Sequence, residues 1–275
     1  MPATLMYGNQ IAKRTYAYVQ NKVTKLNKKH IYPSIAAILV GDDPGSIAYL
    51  NIKEKKCQEC NIKFSLAKFS NMVNESELTE YIQKLNESSD ITGIIIQLPL
   101  PDSLDRNKIL LLVDEKKDID AFTFSLSENA HLDVRPPAPA GMIEILVEYG
   151  INLNQKNVVI VGGGLLVGQP LRKMLSEMNV NVTIIEDQSN NSLSVLKNAD
   201  IVFCGVGKAK LIQPEMLKNG VVVVDAGYNK VDGVTYGDCD PKCAQIASWI
   251  TPPIGGVGPL TVANLLKNTV DIIDE

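Results

Sequence analysis

Tyr49 and Lys53 stand four residues apart in a stretch with helical patterning, so a phenol ring and an amine project from the same helix face. Taken alone, such a pair is what a solvated or snorkelling helix face usually carries. Gln97 closes an apolar run beginning at Gly93 and precedes Leu98-Pro99-Leu100-Pro101. A polar amide there would sit at the carboxyl end of a strand, the edge where open α/β sheets collect their ligands. Satisfaction of a backbone group is the competing use for it. Lys117-Asp118-Ile119-Asp120 puts two carboxylates at alternate positions in an expected loop, where charged residues are most often solvated. The most suggestive chemistry lies further on. The β-branched run Asn157–Val161 breaks at Gly162-Gly163-Gly164, and a helical pattern runs from Leu165 past Gly168 to Met178. Glycines between strand and helix let the backbone approach a phosphate closely, and the free N–H groups of the helix start favour its charge. A G-x-G-x-x-x-G spacing is irregular, and any α/β domain can hold a glycine-rich turn. What favours a dinucleotide site is the next strand, Asn181–Ile185, which ends in Glu186-Asp187 about twenty residues on, where a ribose-binding acid is expected.

The cysteines allow one further chemistry. Cys57-x-x-Cys60 and Cys239-x-x-x-Cys243 together spell a four-thiolate zinc site, with Cys204 standing alone. The first pair falls on a helix and the second in a proline-containing loop, with nothing to make them converge. An odd count without a secretion signal points instead to reduced thiols, so no metal site is expected.

The elements that must position these groups alternate between strand and helix. Ile11–Leu26 has one apolar helical face, Ser34–Val40 is an apolar strand, and Gly41–Gly45 is a turn handing over to a helix at Ser46. Phe64–Phe69 reads as a strand, Asn74 as the cap of a helix over 75–85, and Gly93–Leu98 as a third strand. Strands apolar throughout suit a parallel sheet covered on both faces. Downstream, Ala199–Cys204 leads into a small-residue loop with Val206 and Gly207, and Val221–Asp225 leads to Tyr228; both loops would flank the nicotinamide half of a dinucleotide. Thr251–Pro259, with Gly255, Gly256, Val257 and Gly258, is a rigid loop or linker before a helix starting near Pro259. The fold class is therefore α/β in two domains: residues 1–139 completed by a C-terminal helix over 254–275, and a Rossmann-like dinucleotide-binding domain over 140–253.

With 275 residues and 45% apolar content the chain can bury a substantial core. A formal charge of -4 and no long basic run argue against nucleic acid as a partner. No apolar run approaches a membrane span and the first residues carry no targeting pattern, so a cytoplasmic protein without membrane contact is expected.

Several motifs in order resemble one family. Ser46-x-x-Tyr49-x-x-x-Lys53, Gln97-Leu98-Pro99-Leu100-Pro101, Lys117-Asp118-Ile119-Asp120 and Gly255-Gly256-Val257-Gly258-Pro259-Leu260-Thr261 are similar to those of the methylenetetrahydrofolate dehydrogenase/methenyltetrahydrofolate cyclohydrolase family, over about residues 11–269. The resemblance implies that a folate lies in a cleft between the two domains. It also implies that 5,10-methylenetetrahydrofolate is oxidised with NAD or NADP and the methenyl product hydrolysed to 10-formyltetrahydrofolate. Lys53 is then the catalytic lysine, Gln97 its orienting partner, Tyr49 the ring packed on the aminobenzoyl group and Asp120 the pterin-binding acid. Leu98, Gly255, Gly256, Val257, Gly258, Pro259 and Thr261 join them around the substrate. Gly162, Gly163, Gly164, Gly168, Glu186, Asp187, Val206, Gly207 and Tyr228 hold the dinucleotide. Relatives form homodimers, which sets the same expectation here.

Departures from the family pattern are specific. Gly162-Gly163-Gly164 replaces the usual Gly-Arg-Ser or Gly-Ala-Ser, and Glu186-Asp187 stands where many members place His, Arg or Ser near the 2′-phosphate of NADP. Two carboxylates there repel a phosphate and accept from ribose hydroxyls, which predicts NAD over NADP. Pro137-Ala138 replaces Cys-Thr, Ala121 a glycine, Leu126 and Glu128 an Asn and a Gly, and Pro253-Ile254 a Val-Pro. These changes leave two rivals: a dehydrogenase without the cyclohydrolase step, and a silent dinucleotide- or folate-binding relative. Joint retention of Tyr49, Lys53, Gln97 and Asp120 counts against silence.

Overall fold

The computed structural model describes residues 2–127, 134–186 and 189–273; Asp187 and Glu128, singled out above, lie outside them. Along the chain come β1 (Thr4–Leu5), α1 (Asn9–Lys28), β2 (Ser34–Val40), α2 (Pro44–Glu59), β3 (Lys63–Phe69), α3 (Glu75–Glu87), β4 (Gly93–Ile96), α4 (Arg106–Leu110) and α5 (Phe122–Leu126). They are followed by α6 (Pro137–Glu148), β5 (Val158–Val161), α7 (Gly168–Glu177), β6 (Val182–Ile185), α8 (Asn190–Lys197), β7 (Ile201–Cys204) and β8 (Val222–Asp225). The hairpin β9 (Asn229–Val231) and β10 (Val234–Tyr236), then β11 (Trp249–Ile250) and α9 (Val257–Asp271), complete the chain. Two compact units result, one from Arg14–Pro136 with Val262–Glu275, the other from Met1–Lys13 with Pro137–Thr261.

The first of these units is built on a parallel three-stranded sheet in the order β3-β2-β4, with Ile35 paired to Gly93 and Ile38 to Ile96. Every residue of β2 and β4 is buried, as continuous apolar strands covered on both faces must be. The expectation fails for β3, whose residues are exposed or half-buried because it is an edge strand carrying Lys63, Ser65 and Lys68. Val19, Val23 and Leu26 of α1, Leu50 and Cys57 of α2, and Val262, Leu265, Leu266 and Val270 of α9 form one core with Ile35, Ala37 and Leu39. Each fully buried branched side chain of this kind contributes about 1.5–3 kcal/mol. The chain passes from β2 to a neighbour on one side and then to β4 on the other, so the sheet reverses direction of growth between β2 and β4. Their carboxyl ends therefore frame a crevice.

The other unit carries a six-stranded parallel sheet in the order β1-β11-β8-β7-β5-β6. Here the reversal falls between β5 and β7. Val159, Val202, Val223 and Ile250 from four of its strands share a core with Leu196, Ile212, Leu217 and three buried cysteines, Cys204, Cys239 and Cys243. Helix α7 begins at Gly168, three residues later than its apolar pattern suggests, because Leu165-Leu166-Val167 belongs to the turn. Helix α9 begins at Val257, two residues before Pro259. No helix among the described residues is long and apolar enough to cross a membrane.

Candidate active site

Lys53 is set by α2, which starts at Pro44 because Asp43 caps it, its carboxylate accepting from the Ser46 N–H at 2.7 Å. The lysine is buried, 5% exposed, and its Nζ donates to Gln97 Oε1 at 3.2 Å while lying 4.9 Å from the Tyr49 ring centroid. Gln97 continues β4 by one residue, its N–H donating to Ile38 O at 2.9 Å. Its Nε2 donates to Leu98 O at 2.8 Å, which leaves Oε1 as the atom turned to the lysine. The Leu98 carbonyl also accepts from Ser46 Oγ at 3.2 Å, so α2 and the segment after β4 are tied at the crevice itself. Burial lowers the Lys53 pKa below the ordinary lysine value, with Asp120 opposing the shift. Burial likewise raises the Asp120 pKa, with Lys53 opposing. The acid keeps part of its surface accessible. Tyr49, Lys53, Gln97 and Asp120 are thus brought together, and the amine is one that gives up its proton more readily than a solvated lysine.

Asp118 departs from the expectation of a solvated loop residue. It is 1% exposed and caps α5, accepting from Phe122 N–H at 3.1 Å and Thr123 N–H at 2.7 Å. Burial lifts its carboxyl to about 6. Ala121, directly after Asp120, has φ 56°, in the left-handed region that glycine adopts most easily. Asn268 of α9 pins the same segment by donating to Ile119 O and Arg135 O at 2.8 Å each. Lys117 Nζ donates to Leu85 O and Ser88 O, satisfying carbonyls at the end of α3.

In the other unit the glycine turn sits at the β5–β7 reversal. Gly162 has φ +89°, and a Cβ there would press on Val206 of the loop after β7. At Gly168 a Cβ would meet only backbone, Gly162 O and C and Gly163 Cα, so the first turn of α7 lies against the strand end as a phosphate-binding turn requires. Gly164 is exposed, with open space where its Cβ would be. The Glu186 carboxylate lies over Gly163, occupying the space a side chain at that position would need. A dinucleotide fits this cradle, and it would be held by Gly162, Gly163, Gly164 and Gly168 with Glu186 at the ribose. Val206, Gly207 and Tyr228 are exposed on the loops after β7 and β8, Tyr228 by 68%. Gly255, at φ +83°, and Gly256 pack on Tyr7, Gly8 and Asn9, the Gly8 N–H donating to Gly255 O at 2.8 Å. Gly258, Pro259 and Thr261 fall in the first turns of α9.

Cys204 does not stand alone. Its Sγ is 3.9 Å from Cys239 Sγ, and both lie within 4.8 Å of the Asp225 carboxylate. That carboxylate is already engaged by Gly227 N–H, Asp238 N–H and Cys239 N–H at 2.8–3.1 Å. Burial raises the Cys204 pKa, which keeps the thiol protonated. The cluster is therefore packed core with every oxygen employed. Cys57 and Cys60 are buried in the other unit's core. Asp225 and Asp238 are the organising groups that reading the sequence missed, and their only signal was an acid at each end of an otherwise apolar or glycine-bounded segment, Val224-Asp225-Ala226 and Gly237-Asp238-Cys239.

The chain matches two family models, tetrahydrofolate dehydrogenase/cyclohydrolase, catalytic domain, over residues 6–120 and its NAD(P)-binding domain over residues 136–275. It is 40% identical over 272 residues to the bifunctional protein FolD of Nautilia profundicola, covering 97% of this chain and 96% of that one. Its fold is similar to the crystal structure of bifunctional FolD, methylenetetrahydrofolate dehydrogenase/cyclohydrolase, from Campylobacter jejuni, with a TM-score of 0.90, 33% identity and 98% of each chain covered. The Trypanosoma brucei enzyme complexed with NADP cofactor and inhibitor gives a TM-score of 0.89 at 26% identity, covering 99% of this chain and 97% of that one. The chain belongs to the tetrahydrofolate dehydrogenase/cyclohydrolase family.

Proposed function

We propose that this chain oxidises 5,10-methylenetetrahydrofolate to the methenyl form with a nicotinamide dinucleotide and hydrolyses that product to 10-formyltetrahydrofolate. The observation that carries the reading is the buried Lys53 Nζ–Gln97 Oε1 contact at the carboxyl ends of β2 and β4, with Tyr49 and Asp120 beside it. Tyr49 packs on the aminobenzoyl ring, Asp120 accepts from pterin N–H groups, and Leu98 lines the substrate beside them. The bound dinucleotide supplies the hydride acceptor, and the protein's part in that step is to position two rings. In the hydrolysis, Lys53 takes a proton from the water that adds to the methenyl carbon, and Gln97 aims its lone pair. The neutral amine needed for this is favoured by burial.

The preferred dinucleotide is NAD. Glu186 occupies the space over Gly163 and places a carboxylate where a 2′-phosphate would need a cation. Residues 14–136 with 262–275 serve the folate and the unit of residues 1–13 with 137–261 the dinucleotide, which moves the expected bounds of 1–139 and 140–253 because β1 joins the six-stranded sheet. Family membership supports a cytoplasmic homodimer, which light scattering on the purified protein tests.

The decisive assay follows dinucleotide reduction and methenyl absorbance separately, with NAD and with NADP. NAD reduction without methenyl build-up is expected. Lys53→Met should cut hydrolysis at least about a hundredfold, the lower end of what a general base contributes. Unchanged hydrolysis in that variant removes Lys53 from the proposed role, and methenyl build-up in the wild type removes the second activity.

A further inference from the structure

The loop after β7 owes its shape to a carboxylate from more than thirty residues away. Asp238 follows the β9–β10 hairpin and is fully buried, 0% exposed. Its Oδ1 accepts from the Gly207 N–H at 3.1 Å, the Lys208 N–H at 2.9 Å and Asn229 Nδ2 at 3.1 Å; its Oδ2 accepts from the Val206 and Gly207 N–H groups. Three successive backbone N–H groups converging on one point form an anion nest, the shape that elsewhere receives a phosphate or carboxylate of a ligand. Here the protein fills the nest itself. The Asp238 backbone is held in turn, its N–H donating to Asp225 Oδ1 at 3.1 Å and its carbonyl accepting from Ile212 N–H at 3.0 Å. Both acids press on glycines: a Cβ at Gly227 would collide with Asp238, and one at Gly237 with Asp225.

We propose that Asp238 is a positioning residue for the dinucleotide-dependent step: it fixes Val206, Gly207 and Lys208 in one backbone conformation, leaving the Val206 side chain outward against the nicotinamide half. Val206 is 45% exposed, and Gly207, at φ +78°, supplies the left-handed residue the nest needs. The inference rests on the dinucleotide reading above and adds a constraint to it. With their N–H groups turned onto Asp238, Val206, Gly207 and Lys208 have none to give a ligand phosphate, so the phosphates depend on the turn before α7.

Asp238→Asn keeps the size of the side chain but replaces one acceptor with a donor, so at least one loop N–H loses its partner. The full-length variant should show a dinucleotide KM raised about tenfold, the effect of one lost bond to a charged acceptor. The KM for methylenetetrahydrofolate and the rate of methenyl hydrolysis, which uses no dinucleotide, should stay at wild-type values. General damage to the fold lowers both activities together. Asn229→Ala, which removes one donor and leaves the backbone intact, should raise the dinucleotide KM about threefold in the same selective way. A folded Asp238→Asn protein with unchanged dinucleotide KM overturns the proposal. If that variant does not fold, an Asn229→Ala protein with unchanged dinucleotide KM does so. A wild-type protein that reduces neither dinucleotide overturns the functional reading instead.

Discussion

Gly168→Ala tests whether the turn at β5 is as tightly built as its geometry indicates. The added methyl would lie 2.9 Å from Gly162 C and 3.0 Å from Gly163 Cα, where ordinary contact begins at 3.4 Å, and closer still to Gly162 O. All three atoms are backbone, so no side chain can swing away. Strand end and helix start must separate by several tenths of an ångström. Overpacking of this kind costs about 1–3 kcal/mol, and a first-turn position recovers little helix propensity from alanine. At about 2–4 °C per kcal/mol for a unit of this size, the melting transition should fall by roughly 2–12 °C. Displacing the turn also moves the groups that seat the phosphates, so the dinucleotide KM should rise at least about tenfold while methenyl hydrolysis holds. Gly164→Ala is the control for the melting transition, since its methyl would meet nothing within 4 Å and its φ is not left-handed. Differential scanning fluorimetry and initial-rate kinetics on both variants decide the matter. Wild-type melting and wild-type dinucleotide KM in Gly168→Ala would refute the close-approach argument.

Glu186→Gln removes a charge without changing shape, and should raise NADP efficiency relative to NAD about tenfold, the scale of repulsion between a surface carboxylate and a nearby phosphate; an unchanged ratio of kcat/KM values contradicts the assignment. Asp118 makes a prediction about pH. Its folded pKa of about 6 lies above the free value of 3.8, so its contribution is fully present below about pH 3.8 and is lost as pH rises through 6. Comparing denaturant unfolding of wild type and Asp118→Asn, the difference should move in favour of wild type by about 2 kcal/mol between pH 7 and pH 4. A difference flat with pH would show that the carboxyl is not buried as described. Lys53→Met exchanges a buried amine for a thioether of similar length, so it should melt no lower than wild type, and a clear loss of stability would contradict the buried, charge-disfavoured lysine.

The parts of the site that were legible from sequence are those where one local pattern carries the information. Tyr49 and Lys53 share a face by helical spacing, Gln97 ends an apolar run, and the glycine turn lies between strand and helix. Continuous apolar runs likewise marked β2 and β4. The start of α7 was misplaced because Leu165, Leu166 and Val167 extend an apolar helical pattern through a segment whose backbone is needed for the turn. Asp118 read as solvated because its partners, the Phe122 and Thr123 N–H groups, exist only once Ala121 takes a left-handed conformation. The convergence of Cys204 on Cys239 and of Asp238 on the Val206–Lys208 backbone depends on neighbouring strand ends in a sheet, and no local spacing reports it.

Two of the three boundaries between the units fall inside helices, at Lys13–Arg14 in α1 and Thr261–Val262 in α9. This has a consequence for biosynthesis. The core around β2 needs Val262, Leu265, Leu266 and Val270, which are translated only after residues 137–261 of the other unit, while the sheet of that unit takes β1, which precedes residues 14–136. On the ribosome, the lysine-bearing unit therefore waits for α9 before its apolar seam can close. Its β2–β4 strands stay incompletely covered throughout synthesis of the intervening residues. Removal of α9 should for that reason abolish the unit built on β2–β4, and nascent chains stalled before residue 262 are where chaperone dependence should concentrate.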